Sequence, residues 1–205
     1  MSRGTRLVLT AWVAITACLV IAACAPAAAG SRDGIVRIEI NTELGIIAAD
    51  LDSARAPVTV ANFLRYVDAG RYTEGTFHRT VRSDNQPRDS VRIAVIQGAR
   101  KADRATPSFP AVTLERTTTT RLRHRDGALS MARSVPNSAT DGFFICIGDQ
   151  PSLDFGGHRN LDGQGFAAFG HVTKGMDIVR RINASPAEAQ NLTPPIRILG
   201  MSRVK

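Results

Sequence analysis

The chain has 205 residues, of which 43% are hydrophobic and only 5% aromatic, and its formal net charge is +8. That length suits one domain with a hydrophobic core and a terminal tail. The densest basic cluster is Arg116, Arg121, Arg123 and Arg125, and no aromatic residues are interleaved with it. This pattern argues against nucleic acid as a partner. It indicates a solvated basic loop, or a contact with anionic lipid or an acidic partner.

The first 24 residues have the pattern of an export signal. Arg3 and Arg6 precede an apolar run from Leu7 to Ala23, and small residues stand before Cys24. A basic start, an apolar centre and small residues at a cleavage site are typical of a secretory signal. The ending resembles a bacterial lipobox. That resemblance implies that Cys24 carries a lipid and anchors the protein on the outer side of the cytoplasmic membrane or in the periplasm.

Two alternatives for this N-terminus stay open. The apolar run is borderline in length for a membrane span, so an uncleaved anchor is one of them. Ordinary cleavage after the alanines at 27–29, which would leave a soluble secreted protein, is the other. All three interpretations put the domain outside the cytoplasm. We therefore predict a signal at residues 1–24, a flexible tether at 25–34 and one folded domain at 35–205.

From residue 35 onward, short strands alternate with turns, and two segments have helical spacing. Ile35 to Ile40 and Ile46 to Leu51 predict a β-hairpin. Pro57 begins a helix that Gly70 ends, and a second helix starts near Met176. Further strands are predicted at 76–81, 91–97, 127–132, 143–148, 166–172 and 195–204, with a shorter one at 111–114 and a strand or loop at 117–120. About eight strands without βαβ alternation favour a closed antiparallel barrel or a sandwich.

The sequence offers little for metal or hydrolytic chemistry. The histidines lack the spacing of metal ligands, and no Gly-x-Ser-x-Gly motif is present. The acidic residues Asp149, Asp154 and Asp162 do not follow a calcium-loop pattern, so a solvated acidic loop is expected. Cys146 is the only cysteine in the predicted mature domain, which favours a buried structural thiol and leaves no intradomain disulfide. We expect no metal and no cofactor.

The segment Phe77-His78-Arg79, followed by Gln97-Gly98, carries the most informative polar side chains. Successive side chains of a strand point to opposite faces, so Phe77 and Arg79 are expected to share one face and His78 to lie on the other. An arginine is always charged and cannot act as a base. The pair Arg79 and Gln97 therefore indicates electrostatic chemistry on a neutral substrate rather than proton transfer.

These motifs, in this order, resemble those of the cyclophilins, which are peptidyl-prolyl cis/trans isomerases. The resemblance continues through Leu129-Ser130-Met131-Ala132, Phe143-Phe144-Ile145 and Phe169-Gly170-His171-Val172, and it runs from about Val36 to Val204. It implies a closed eight-stranded antiparallel barrel capped by two α-helices, with proline-containing peptides or unfolded exported proteins as substrates. It also implies a role in protein folding, and we expect a monomer.

The resemblance assigns roles to individual residues. Arg79 falls on the catalytic arginine, and Gln97 on a glutamine that holds the substrate backbone. Substrate-binding positions are implied at Phe77, Val95, Gln97, Ala132, Phe144, Leu161 and Phe166.

Several positions depart from the family pattern. Val95 stands where a methionine is usual, Gly142 where a glutamine is usual, and Phe166 where the family has a histidine. The family's pocket tryptophan aligns near Asn160, and Arg133 replaces a small polar residue. The loop between Arg79 and Gln97 is also longer than in compact members. These departures leave a second function open, a cyclophilin-like peptide-binding or chaperone module with little catalytic turnover.

Overall fold

The computed structural model describes Met1 and residues 34–204 apart from Arg104; the rest of the predicted signal, including Cys24, and most of the tether lie outside the described residues. The strands within this part are β1 Ile35–Thr42, β2 Gly45–Asp52, β3 Thr76–Val81, β4 Val95–Ala99, β5 Ala128–Met131, β6 Phe143–Cys146, β7 Ala167–Lys174, β8 Ala187–Glu188 and β9 Asn191–Arg203. The α-helices are α1 Pro57–Asp68, α2 Thr117–Thr120 and α3 Met176–Ala184.

Eight of these strands form a closed antiparallel barrel. They follow the order β1-β2-β7-β5-β6-β4-β3-β9, and β9 pairs back onto β1. β8 is a two-residue strand that pairs only with β9. The predicted eight-stranded barrel is therefore confirmed, and the sandwich is excluded because pairing of β9 with β1 leaves the barrel without a free edge.

The two predicted helices are present and bury their apolar sides in the barrel core. Pro57 occupies the first turn of α1, where its missing N–H costs nothing. The carboxylate of Glu115 caps this helix, accepting hydrogen bonds from the backbone N–H groups of Val58 (3.1 Å) and Thr59 (2.7 Å). The segment 117–120, predicted as strand or loop, forms the one-turn helix α2 instead.

A β-bulge in β3 decides which side chains face the barrel interior. The register of β3 shifts between Phe77 and Arg79 against both neighbouring strands. Phe77 pairs with Gly98 and is buried in the core, where its ring packs edge-on against Phe143 at 5.6 Å. Because a bulge adds one residue to a strand, Arg79 pairs with Gln97 on the outer face. The prediction that Phe77 and Arg79 share a face is wrong.

The strand β4 is shorter than the sequence predicts because a side chain takes over backbone hydrogen bonds. β4 begins at Val95 rather than at residue 91. The buried amide of Gln86 accepts from the N–H of Ile93 (3.1 Å) and donates to its carbonyl (2.7 Å), so this stretch needs no neighbouring strand. The strand predicted at 111–114 is reduced to one bridge between Val112 and Ala139.

Candidate active site

A cavity of about 210 Å3 lies over the outer face of β3, β4 and β6. Its apolar lining consists of Ile93, Val95, Ala132, Phe144, Leu153 and Phe166. Its polar lining consists of Arg79, Gln97, Arg133, Arg159 and Asn160. The cavity therefore combines an apolar floor with hydrogen-bond donors at its rim, which is the usual character of a small-ligand site.

The apolar floor is held rigid from behind. Phe144 packs edge-on against Phe166 at 5.4 Å, and the ring of His124 stacks on Phe144 at 5.9 Å. Buried His124 is fixed in turn by Asp154 at 2.8 Å from Nδ1 and by the hydroxyl of Ser130 at 2.9 Å from Nε2. Because both ring nitrogens are engaged, the floor presents one preorganised apolar surface.

Arg79 is held at the cavity by two neutral carboxamides. Its Nη1 donates to Gln97 Oε1 at 3.0 Å, while its Nε (2.9 Å) and Nη2 (2.5 Å) both donate to Gln190 Oε1. Burial lowers the pKa of Arg79 from its ordinary value, and the positive charge of Arg159 lowers it further. An arginine nevertheless stays cationic near neutral pH. The result is a fixed cation whose hydrogen-bond partners carry no negative charge.

Gln190 is itself positioned by contacts with β3 and the loop that follows it. Its backbone carbonyl accepts from the N–H of Thr80 at 2.8 Å, and its Nε2 donates to the carbonyl of Asn85 at 3.2 Å. Gln190 lies 111 positions from Arg79 in the turn between β8 and β9. No local sequence signal marks it, and the sequence analysis missed it for that reason.

Arg133 forms a buried wall of the cavity. Its side chain is only 1% exposed, and it donates to both carboxylate oxygens of Asp162 at 2.7 and 3.0 Å. It also donates to the carbonyl of Gly165, and its guanidinium lies 5.0 Å from the ring centroid of Phe166. Arg133 therefore ties the loop before β7 to the apolar floor.

Among the residues that the structure describes, the charged side chains of the cavity are all arginines, and none of the lining groups could act as a general base near neutral pH. His78 is half-buried on β3 and does not line the cavity; burial lowers its pKa. Cys146 is buried, which raises the pKa of its thiol.

Within the described ranges, no cluster of acidic, histidine or cysteine side chains has the arrangement of a metal site. The helices in the described part of the chain are too short or too polar to cross a membrane.

The family model for cyclophilin type peptidyl-prolyl cis-trans isomerase/CLD matches residues 35–203. This chain belongs to the cyclophilin-type peptidyl-prolyl cis-trans isomerases. This cyclophilin is 35% identical over 146 residues to peptidyl-prolyl cis-trans isomerase cyp18 of Streptomyces antibioticus, an alignment covering 71% of this chain and 81% of that protein. It is 32% identical to peptidyl-prolyl cis-trans isomerase A of Dickeya dadantii, covering 88% of this chain and 86% of the relative. Its activity is therefore the isomerisation of X–Pro bonds.

Solved cyclophilins share the fold. The crystal structure of a cyclophilin type isomerase of Cryptosporidium parvum matches with a TM-score of 0.68 and 20% identity, covering 83% of this chain and 98% of that one. A second structure of that isomerase, in the presence of the dipeptide Ala-Pro, matches with a TM-score of 0.67 and covers 82% of this chain and 99% of that one. At this low identity the likeness shows the barrel alone.

Six of the residues that the sequence assigned to the site line the cavity of this cyclophilin: Arg79, Val95, Gln97, Ala132, Phe144 and Phe166. Phe77 does not, because the bulge in β3 turns its ring into the barrel core. Leu161 does not either, since its side chain is fully exposed. A Leu-Asp pair also stands eight positions earlier in the chain, and it is Leu153, buried beside Asp154, that reaches the cavity.

Proposed function

We propose that this cyclophilin isomerises X–Pro bonds in exported proteins, and that Arg79 is the donor that stabilises the twisted amide. The observation that carries the proposal is the position of Arg79. Its guanidinium is fixed by two neutral amides at the rim of a rigid apolar cavity. Without a carboxylate among its hydrogen-bond partners, its positive charge remains available to a substrate.

The reaction needs neither a nucleophile nor a base. An X–Pro bond rotates slowly because the nitrogen lone pair is delocalised into the carbonyl, which gives a barrier of roughly 18–20 kcal/mol for peptide bonds. The enzyme accelerates rotation by binding the twisted amide more tightly than either planar form. In the twisted amide the lone pair is localised on the prolyl nitrogen, so a fixed cation nearby stabilises that state more than the planar ones.

The lining residues suit the separate parts of this task. Phe144, Leu153 and Phe166 enclose an apolar space that fits a proline ring, while the acyl side of the bond stays free to rotate. Gln97 uses its Oε1 to accept from Arg79, and its Nε2 has no acceptor among the described residues. That amide can therefore donate to a substrate carbonyl and orient the backbone.

The test measures the rate of prolyl isomerisation of a short X–Pro peptide by NMR exchange, and it compares the wild type with Arg79→Ala. Loss of a preorganised donor predicts a fall in kcat/KM of about 10²–10³. Arg79→Lys should also fail, because an ammonium cannot donate to Gln97 and Gln190 in the same flat geometry. Arg37→Ala, which removes an exposed arginine paired with Asp50, is the control and should retain activity.

Unchanged exchange in a folded Arg79→Ala protein would overturn the catalytic role of Arg79. A wild type that shifts peptide resonances without accelerating exchange would instead favour a peptide-binding or chaperone module.

We also propose that the protein is exported and held at the membrane by a lipid on Cys24, as a monomer acting on unfolded exported proteins. The support is the basic start, the apolar run and the small residues before Cys24. Mass spectrometry of the mature N-terminus tests this proposal. A diacylglyceryl cysteine at position 24 is expected, and a free amine beginning at Gly30 would overturn the lipid anchor.

A further inference from the structure

We propose that this cyclophilin prefers substrates with an acidic side chain next to the proline, and that Arg159 is the residue that selects them. The inference rests on the proposed isomerase function of the same cavity. It concerns a side chain to which the sequence motifs assign no role. Arg159 lies in the loop between Asp154 and Phe166 and lines the cavity together with Arg79.

The guanidinium of Arg159 is only partly satisfied by the protein. Its Nη1 lies 3.0 Å from a carboxylate oxygen of Asp89 and donates to the carbonyl of Val91 at 2.7 Å. Its Nε and Nη2 have no acceptor among the described residues, and neither atom is fully buried there. The side chain is 14% exposed. An arginine has five N–H donors, so Arg159 retains several that a ligand carboxylate can use.

Among the described residues, the charges around the cavity leave one cation without a counter-charge. Three guanidinium groups line it, those of Arg79, Arg133 and Arg159. Two carboxylates contact them: Asp162 pairs with Arg133, and Asp89 pairs with Arg159. The hydrogen-bond acceptors of Arg79 are neutral amides. A carboxylate brought by the substrate would balance this excess, whereas a lysine would add to it.

Asp89 acts in this arrangement as an internal competitor. Its side chain is 37% exposed, so it can turn into solvent when a substrate carboxylate approaches Arg159. Arg159 also keeps its hydrogen bond to the carbonyl of Val91, which holds the side chain at the cavity when Asp89 leaves. Removing the charge of Asp89 should therefore strengthen the preference for acidic peptides, and removing the charge of Arg159 should abolish it.

The experiment compares kcat/KM for peptides that differ only in glutamate against glutamine, placed immediately before or immediately after the proline. The full-length chain is used, purified in mild detergent, with NMR exchange as the assay. For a partly exposed ion pair we expect a Glu/Gln ratio of about threefold to tenfold at one of the two positions. The ratio should fall to about one in Arg159→Gln, rise in Asp89→Asn, and shrink as salt is added.

Arg92→Gln is the matched control, because it removes an exposed positive charge from the loop that carries Asp89, and Arg92 itself does not line the cavity. Its Glu/Gln ratio should equal that of the wild type. A wild-type ratio of one at both positions, or a preference that survives Arg159→Gln, would overturn the inference while leaving the isomerase function intact. If no peptide is turned over, the proposed function fails instead. The Kd values of the glutamate and glutamine peptides, measured from resonance shifts, then decide the role of Arg159 through their ratio.

Discussion

Gln190 is expected to control catalysis without touching the substrate, because it holds two of the three nitrogens of Arg79. One carbonyl oxygen, Oε1, accepts from Nε at 2.9 Å and from Nη2 at 2.5 Å. Replacement by methionine keeps the length of the side chain and removes this acceptor. Arg79 would then be held by its remaining hydrogen bond to Gln97 and would sample other rotamers.

The size of the effect follows from these contacts. Hydrogen bonds to charged groups contribute about 1.5–3 kcal/mol each. The two hydrogen bonds from Arg79 share one oxygen of Gln190, however, and the site is half-buried, so water replaces part of the lost hydrogen bonding. We expect about 1.4 kcal/mol of transition-state stabilisation to disappear, which is roughly a tenfold fall in rate. The apolar floor is unchanged, so the fall should appear in kcat and hardly in KM.

The assay is NMR exchange on an X–Pro peptide over a range of concentrations, together with thermal unfolding. Gln164→Met is the matched control, since it removes the glutamine oxygen that accepts from Arg116 at 2.7 Å, away from the cavity lining. If kcat of Gln190→Met stays within about twofold of the wild type, the positioning role is refuted. A change in KM alone would refute it as well.

Two further predictions concern stability. Arg133→Met should lower the free energy of unfolding by about 1–3 kcal/mol, because it leaves Asp162 without its partner; at 32% exposure, that carboxylate regains water, which limits the loss. Urea unfolding measures the change, and an unchanged midpoint would contradict the role of Arg133 as a wall. Burial alone would raise the pKa of Asp154, but its contacts with His124 hold it below the ordinary 3.8. The stabilisation of the folded state by the charged carboxylate of Asp154 is therefore complete above about pH 4. It is lost as the pH falls through the lower pKa that Asp154 has in the folded state. The difference in Tm between the wild type and Asp154→Asn should accordingly shrink on acidification, and a difference that is constant with pH would refute this linkage.

Local patterns in the sequence were sufficient to locate most of the strands, although they left open whether these form a barrel or a sandwich. Alternating hydrophobicity located the hairpin at 35–51, and the apolar spacing after Pro57 located α1, because both depend on neighbours a few residues away. Local patterns also placed Arg79 and Gln97 on strands, and the structure shows that these two strands pair. They did not foresee the short β4, since Gln86 replaces strand pairing through contacts that no periodicity records.

The sequence by itself determined most of the barrel strands and the two main helices, because these are set by residue type and short-range spacing. The resemblance to the cyclophilins, rather than any spacing rule, indicated Arg79 as the candidate catalytic arginine. Only the tertiary structure decided which side chains meet at the cavity. The bulge sent Phe77 inward, chain folding selected Leu153 over Leu161, and a turn 111 positions away brought Gln190 to Arg79. Such contacts depend on strand register and loop closure, which one-dimensional patterns do not encode.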